Sequence, residues 1–186
     1  MRKPRKMLGD VNGAACAEMM ELMPSRSAAA LAVWAIDYAN GECFEIAQRH
    51  TTQNDQELND SLGETVRLCR AYSAGLMTPS RATVRRPELT LPLKTASRFV
   101  SAETDPIAAA AARAISIACA AVRTPTSSLG FLFYLAAAKA YDQLGLNAGA
   151  AEYGAFAEKE LQSALKSLRE NTKPDLLNPS GIEWNC

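Results

Sequence analysis

Between Asp105 and Ser128 the chain reads DPIAAAAARAISIACAAVRTPTSS, and no other stretch limits the possible fold as strongly. Asp105 followed by Pro106 places a capping oxygen before a proline at the first helical position, so a helix starts here. Its alanines carry almost no side-chain bulk, which lets another helix approach closely. A membrane span is the competing reading. Pro106 to Val122 would give roughly 26 Å of helix against a hydrocarbon core of about 30 Å. Arg113 would then sit near the bilayer centre at a cost of roughly 2.5–3.5 kcal/mol, and alanine offers little to offset it. The stretch therefore reads as the central helix of a tight bundle. Arg113 falls at the margin of its buried face and Arg123 at its C-terminal end.

Helix signals dominate the rest of the chain. SRSAAALAVWAIDYA offers capping serines at Ser25 and Ser27, then Leu31, Trp34, Ala35 and Tyr38 on one face. Asn40-Gly41 predicts a break, with Phe44, Ile46 and Ala47 in a second short helix. Leu58, Leu62, Val66, Cys69, Tyr72 and Leu76 form the stripe of an amphipathic helix that ends near Gly75. From Thr78 to Ser101, Pro79, Pro87 and Pro92 limit regular structure. A short helix near Pro79 and another around Thr95 to Val100 are expected there. Thr124-Pro125 predicts the cap of the next helix, Gly145 its stop, and Asn147 the cap of a long amphipathic helix through Leu168. The tail, 171–186, is irregular, but it contains Leu176, Leu177, Ile182 and Trp184, so it should fold back and bury Trp184. The expected fold is all-α: one domain over 1–186, a compact multi-helix bundle around the alanine-rich helix.

The formal net charge is zero, which argues against a general nucleic-acid binder. The basic run Arg2, Lys3, Arg5, Lys6 reads as a solvated end. Asp10, Asn12 and two glycines interrupt the apolar run that a secretory signal needs. The five cysteines are widely separated with no CxxC pair, which suits reduced, packed thiols in a cytoplasm.

Catalytic equipment is sparse. His50 is the one histidine and falls at a predicted helix end, where its charge or hydrogen bond suits the dipole. No nucleophile signature, zinc spacing or glycine-rich phosphate loop accompanies it, so neither cofactor nor metal is expected. Asp37 lies beside the apolar stripe of its helix and is expected to pair with an arginine of the alanine-rich helix, or else to serve recognition. Arg113 has Ala109, Ala110, Ser116 and Ile117 as helical neighbours, none of them a carboxylate. It either reaches solvent along a small-residue face or meets a charge from elsewhere.

The segments RKPRKMLGDVNG, LAVWAIDYA, AAARAISIACAAVRTPTSSLGFLFYLAAAKAYD and IEWNC, taken in order, make the chain resemble a bacterial family of immunity proteins of polymorphic toxin systems. The resemblance spans nearly the full length and implies an all-α protein that neutralises a toxin encoded beside it. That family often carries histidines in the turn before the Leu-Gly pair, where this chain has Arg123 and Ser127. A metal site built on such histidines would be absent here. An immunity protein needs no chemistry of its own; it needs a few anchors and complementary charge. The candidate toxin-binding anchors are Asp37, Tyr38, Arg113 and Arg123. The partner expected is a cognate toxin, with no nucleic acid or membrane, and with a homodimer as the outcome of any apolar patch left exposed. The alternatives are a helical adaptor for another protein, or an enzyme with a pocket joining Asp37 and Arg113.

Overall fold

The computed structural model describes residues 4–77 and 84–184. Within them the chain forms α1 (Ala14–Leu22), α2 (Ala28–His50), the short α3 (Asp55–Leu58), α4 (Glu64–Met77), α5 (Thr90–Ala102), α6 (Pro106–Ala120), α7 (Ser127–Leu144) and α8 (Ala150–Asn171). The fold is all-α, with no strand among the described residues.

The alanine-rich α6 is the central helix. Asp105 Oδ1 accepts hydrogen bonds from the backbone N–H groups of Ile107 and Ala108 at 2.8 and 2.9 Å, so the cap lies where the sequence places it. Ala108, Ala111, Ala112, Ala114, Ile115 and Ala118 are completely buried. They pack chiefly against α2 and α7, with α5 and α4 also in contact. Side chains this small let helix axes reach the short end of the usual separation, about 8 Å. No helix of the described residues is long and apolar enough to cross a membrane.

Several local expectations need correction. Asn40-Gly41 does not break α2, which runs unbroken from Ala28 to His50. Gly41 is exposed and its site is open. A mid-helix glycine costs about 1 kcal/mol, and burial of Ala39, Cys43, Ile46 and Ala47 outweighs that. The stripe from Leu58 to Leu76 is carried by α3, a π-helical turn over Asn59–Gly63, and α4, which continues past Gly75 to Met77. Leu58, Leu62 and Cys69 on this stripe are fully buried, whereas Leu76 is exposed. The helix expected near Pro79 falls outside the described residues. The one expected at Thr95–Val100 starts earlier, at Thr90. Pro92 lies in its first turn, where backbone N–H groups lack intrahelical partners and a proline removes nothing.

Thr124-Pro125 does not cap α7. The Thr124 N–H closes onto the carbonyl of Ala120, and Thr124 and Pro125 then form a tight turn that leads into Ser127. The Thr124 carbonyl accepts the Ser127 N–H at 2.9 Å within that turn, and α7 begins three residues beyond Thr124. Gly145 does stop α7, with φ at 75°. Gly149 rather than Asn147 caps α8, and the Glu152 carboxylate accepts the Gly149 N–H at 2.7 Å.

The first and last described segments both pack on the bundle. From Pro4 onward the basic N-terminal run is a strap rather than a loose end. Tyr141 donates its hydroxyl to the carbonyl of Arg5 at 2.6 Å, and Leu8 donates its N–H to the carbonyl of Phe133 at 3.0 Å. Gly9 turns there at φ 117°, and a Cβ would meet Leu161 and Phe133 at 3.1 Å. At the other end Asp175, Ser180 and Gly181 donate backbone N–H groups to the carbonyls of Ser25, Arg26 and Pro24. Trp184 Nε1 reaches the carbonyl of Met20 at 2.9 Å, and Ile182 is buried. The tail thus folds back, with Trp184 half-buried, while Leu176 and Leu177 at its tip are 91% and 89% exposed.

Candidate functional site

The residues singled out in the sequence do not form one site. Asp37, on α2, pairs with Arg70 of α4 at 2.6 Å, and both side chains are about half exposed. Its arginine comes from α4, not from the alanine-rich helix, which corrects the expected partner. Beside it, the Tyr38 ring stacks on Trp34 at 5.9 Å between centroids and meets the edge of Phe131 at 6.4 Å. Burial pushes the Tyr38 hydroxyl up to about 12, with Glu42 adding to the shift and Lys139 opposing it. It stays protonated at neutral pH.

Behind Tyr38, Lys139 of α7 lies between Glu42 of α2, at 2.6 Å, and the buried Glu160 of α8. Burial alone would lower the ammonium pKa, but hydrogen bonds and charge from the two carboxylates raise it. Trp34 Nε1 donates to Ser167 Oγ at 3.2 Å. This cluster ties α2, α7 and α8 together.

His50 is the last residue of α2, as expected, and its Nε2 lies 2.8 Å from Asp142 Oδ1. Arg49 holds the other oxygen of that carboxylate at 2.8 Å. Burial pushes the Asp142 carboxyl up, and the bonds from His50 and Arg49 outweigh it and hold it below the usual range.

Arg123 joins elements rather than facing outward. Its Nη2 donates to Thr90 Oγ1 at 2.6 Å, at the start of α5, and its Nε is buried without a hydrogen-bond partner. Ser127 begins α7 nearby. Among the described residues no group of three or more histidine, cysteine or acidic side chains could hold a metal ion.

Arg113 stands apart. Its guanidinium lies 5.7 Å from the centre of the Tyr134 ring. Among the described residues that is its only interaction, with no hydrogen bond and no ion pair. It lines a cavity of about 470 Å³ together with Arg5, Lys6, Glu103, Tyr134 and Tyr141. Asp37 is not part of that described lining, so this cavity does not join Asp37 to Arg113. Glu103 is already engaged: it accepts from the Thr51 and Thr52 hydroxyls and from the N–H groups of Thr52, Thr104 and Asp105. Burial raises its pKa, and these bonds outweigh that and lower it, so it stays ionised. A second cavity, about 500 Å³, lies on the other side of Arg5 and Tyr141 and extends to Tyr153 and Glu158. Arg5 and Lys6 belong to the basic run read as a solvated end, whereas Glu103 and Tyr134 come from different segments with no recognisable spacing, so the sequence does not bring them together.

The four described cysteines, Cys16, Cys43, Cys69 and Cys119, are buried free thiols. Burial pushes the Cys16 thiol up to about 11, with Glu158 and Asp10 adding to it. Cys43 rises through burial, and Cys119 through its hydrogen bond with Cys69 and burial. These shifts run opposite to the activation that a nucleophilic thiol needs.

The family model of the Imm-5 like putative immunity proteins matches residues 21–168. No curated protein and no solved structure matches the chain.

Proposed function

Because the chain belongs to the Imm-5 like putative immunity protein family, we propose that it protects its cell by binding and occluding a cognate toxin, without chemistry of its own. Family membership over residues 21–168 is the observation that carries this reading. The chemistry of the described side chains agrees with it. The thiols of Cys16, Cys43 and Cys119 are shifted away from reactivity, and the one histidine closes a helix-end cluster with Arg49 and Asp142.

Occlusion needs a rigid frame and a few accessible anchors of complementary charge. The frame is the α2–α6–α7 core with its paired charges. Of the four candidate anchors, Tyr38 is committed in part to packing, Arg123 to holding α5, and Asp37 to a surface pair with Arg70. Arg113 is the anchor left available. The reading places the whole chain as one domain in the cytoplasm, facing a toxin that acts there.

Co-expression with the toxin encoded by the neighbouring gene is the test. Cells should survive only when this chain is present, and the two proteins should co-purify. Survival that does not depend on the chain contradicts the reading. An adaptor for another protein would leave a neighbourhood without any toxin gene.

A further inference from the structure

A guanidinium carries five N–H donors in a rigid fork and does not deprotonate in a protein. Removing it partly from water is costly unless acceptors replace that water. The molecule meets this cost for Lys139 with two carboxylates. It does not do so for Arg113, which is half-buried on the central helix and has only the face of Tyr134. A cation over a tyrosine ring is worth about 0.5–1 kcal/mol at an exposed site and leaves the fork's donors open.

Cations predominate around those donors. Arg5 and Lys6 line the same cavity, and neither forms an ion pair with any described residue. The strap that carries them is held in place by the hydrogen bond from Tyr141 to the Arg5 carbonyl. The one acidic side chain in the lining, Glu103, directs both oxygens to Thr51, Thr52, Thr104 and Asp105. Three cationic residues therefore line a concave site of about 470 Å³ that lacks an uncommitted carboxylate among its described lining. That volume falls within the usual range for small-ligand pockets, about 300–1,000 Å³.

We propose that the Arg113 cavity is a seat for an anionic group, a carboxylate or a phosphate, held by the Arg113 fork and flanked by Arg5 and Lys6. The Tyr134 ring lies 5.7 Å from the guanidinium, and bidentate pairing with a carboxylate or phosphate supplies the missing acceptors. The seat is tested first on the full chain without toxin, so its failure is distinguishable from failure of the toxin reading.

Citrate, inorganic phosphate and AMP are each titrated into the full chain and followed by calorimetry. At least one should bind with a Kd below about 1 mM. Arg113→Gln should weaken that binding about tenfold or more while leaving thermal unfolding close to wild type. Arg113→Lys, which keeps the charge without the fork, should fall between. Arg70→Gln, at the surface pair with Asp37, should bind as wild type. The proposal is overturned if none of the three anions binds at ~10 mM, if Arg113→Gln binds as wild type, or if Arg70→Gln loses binding equally. A bound anion is then added to the complex with the neighbouring toxin. Displacement identifies the natural anion as an acidic group of the toxin, and an intact complex identifies it as a free small molecule. Either outcome supports the seat.

Discussion

Lys139 and Arg113 occupy neighbouring helices of the same core and meet opposite fates. Lys139 is held between Glu42 and Glu160, so its charge closes the junction of α2, α7 and α8. Arg113 faces a cavity with only an aromatic ring beside it. Both pay for partial removal from water, but only Lys139 receives acceptors within the fold. A charge with protein partners is part of the scaffold; one without them is available to something else. The same contrast separates Asp142, clasped by Arg49 and His50, from Arg5 and Lys6 on the strap.

Breaking the scaffold side of this comparison should have the largest effect. Lys139→Met leaves the buried Glu160 without its cation and should cost about 3 kcal/mol in chemical denaturation. A loss below that of an exposed pair would mean that Lys139 is not structural, and the comparison would fail. Asp142→Asn comes next, at about 1–2 kcal/mol at neutral pH. Because the folded carboxyl is held below its usual range, its stabilisation is fully present above the unfolded value, about 3.9, and is lost as pH falls through the lowered folded value. Wild type and variant should therefore converge in stability on acidification and diverge above about pH 4. Asp37→Asn at the half-exposed pair should cost under about 1 kcal/mol, and less at high salt. Arg113→Gln should be the mildest, within about 0.5 kcal/mol of wild type by thermal unfolding. A large destabilisation there would move Arg113 to the scaffold side.

These assignments differ in how much of them the sequence discloses. α6 was legible because its cap, proline and small residues are all local. The stops at Gly145 and after His50 were local as well. Asn40-Gly41 and Pro92 were misread because their outcome depends on context: buried neighbours carry α2 through the glycine, and first-turn placement makes Pro92 harmless. Thr124-Pro125 carries a cap signature, but a tight turn follows it and α7 starts only at Ser127. The charges were the least legible. The sequence showed that Arg113 has no carboxylate within a helical turn. It could not show that Arg70 would claim Asp37, or that the strap would bring Arg5 and Lys6 to the cavity. Such pairings span the whole chain and leave no spacing to read.

Protection by occupancy, as proposed, and protection by chemistry differ in their stoichiometry, which a titration reads. Purified toxin from the neighbouring gene is held at a fixed concentration while this chain is added, and residual toxin activity is measured. Occlusion predicts that activity falls linearly and vanishes at one equivalent, with the lost activity returning when the complex is separated. Complete loss of toxin activity at a small fraction of an equivalent, with no recovery on separation, would contradict the account and make this chain an enzyme.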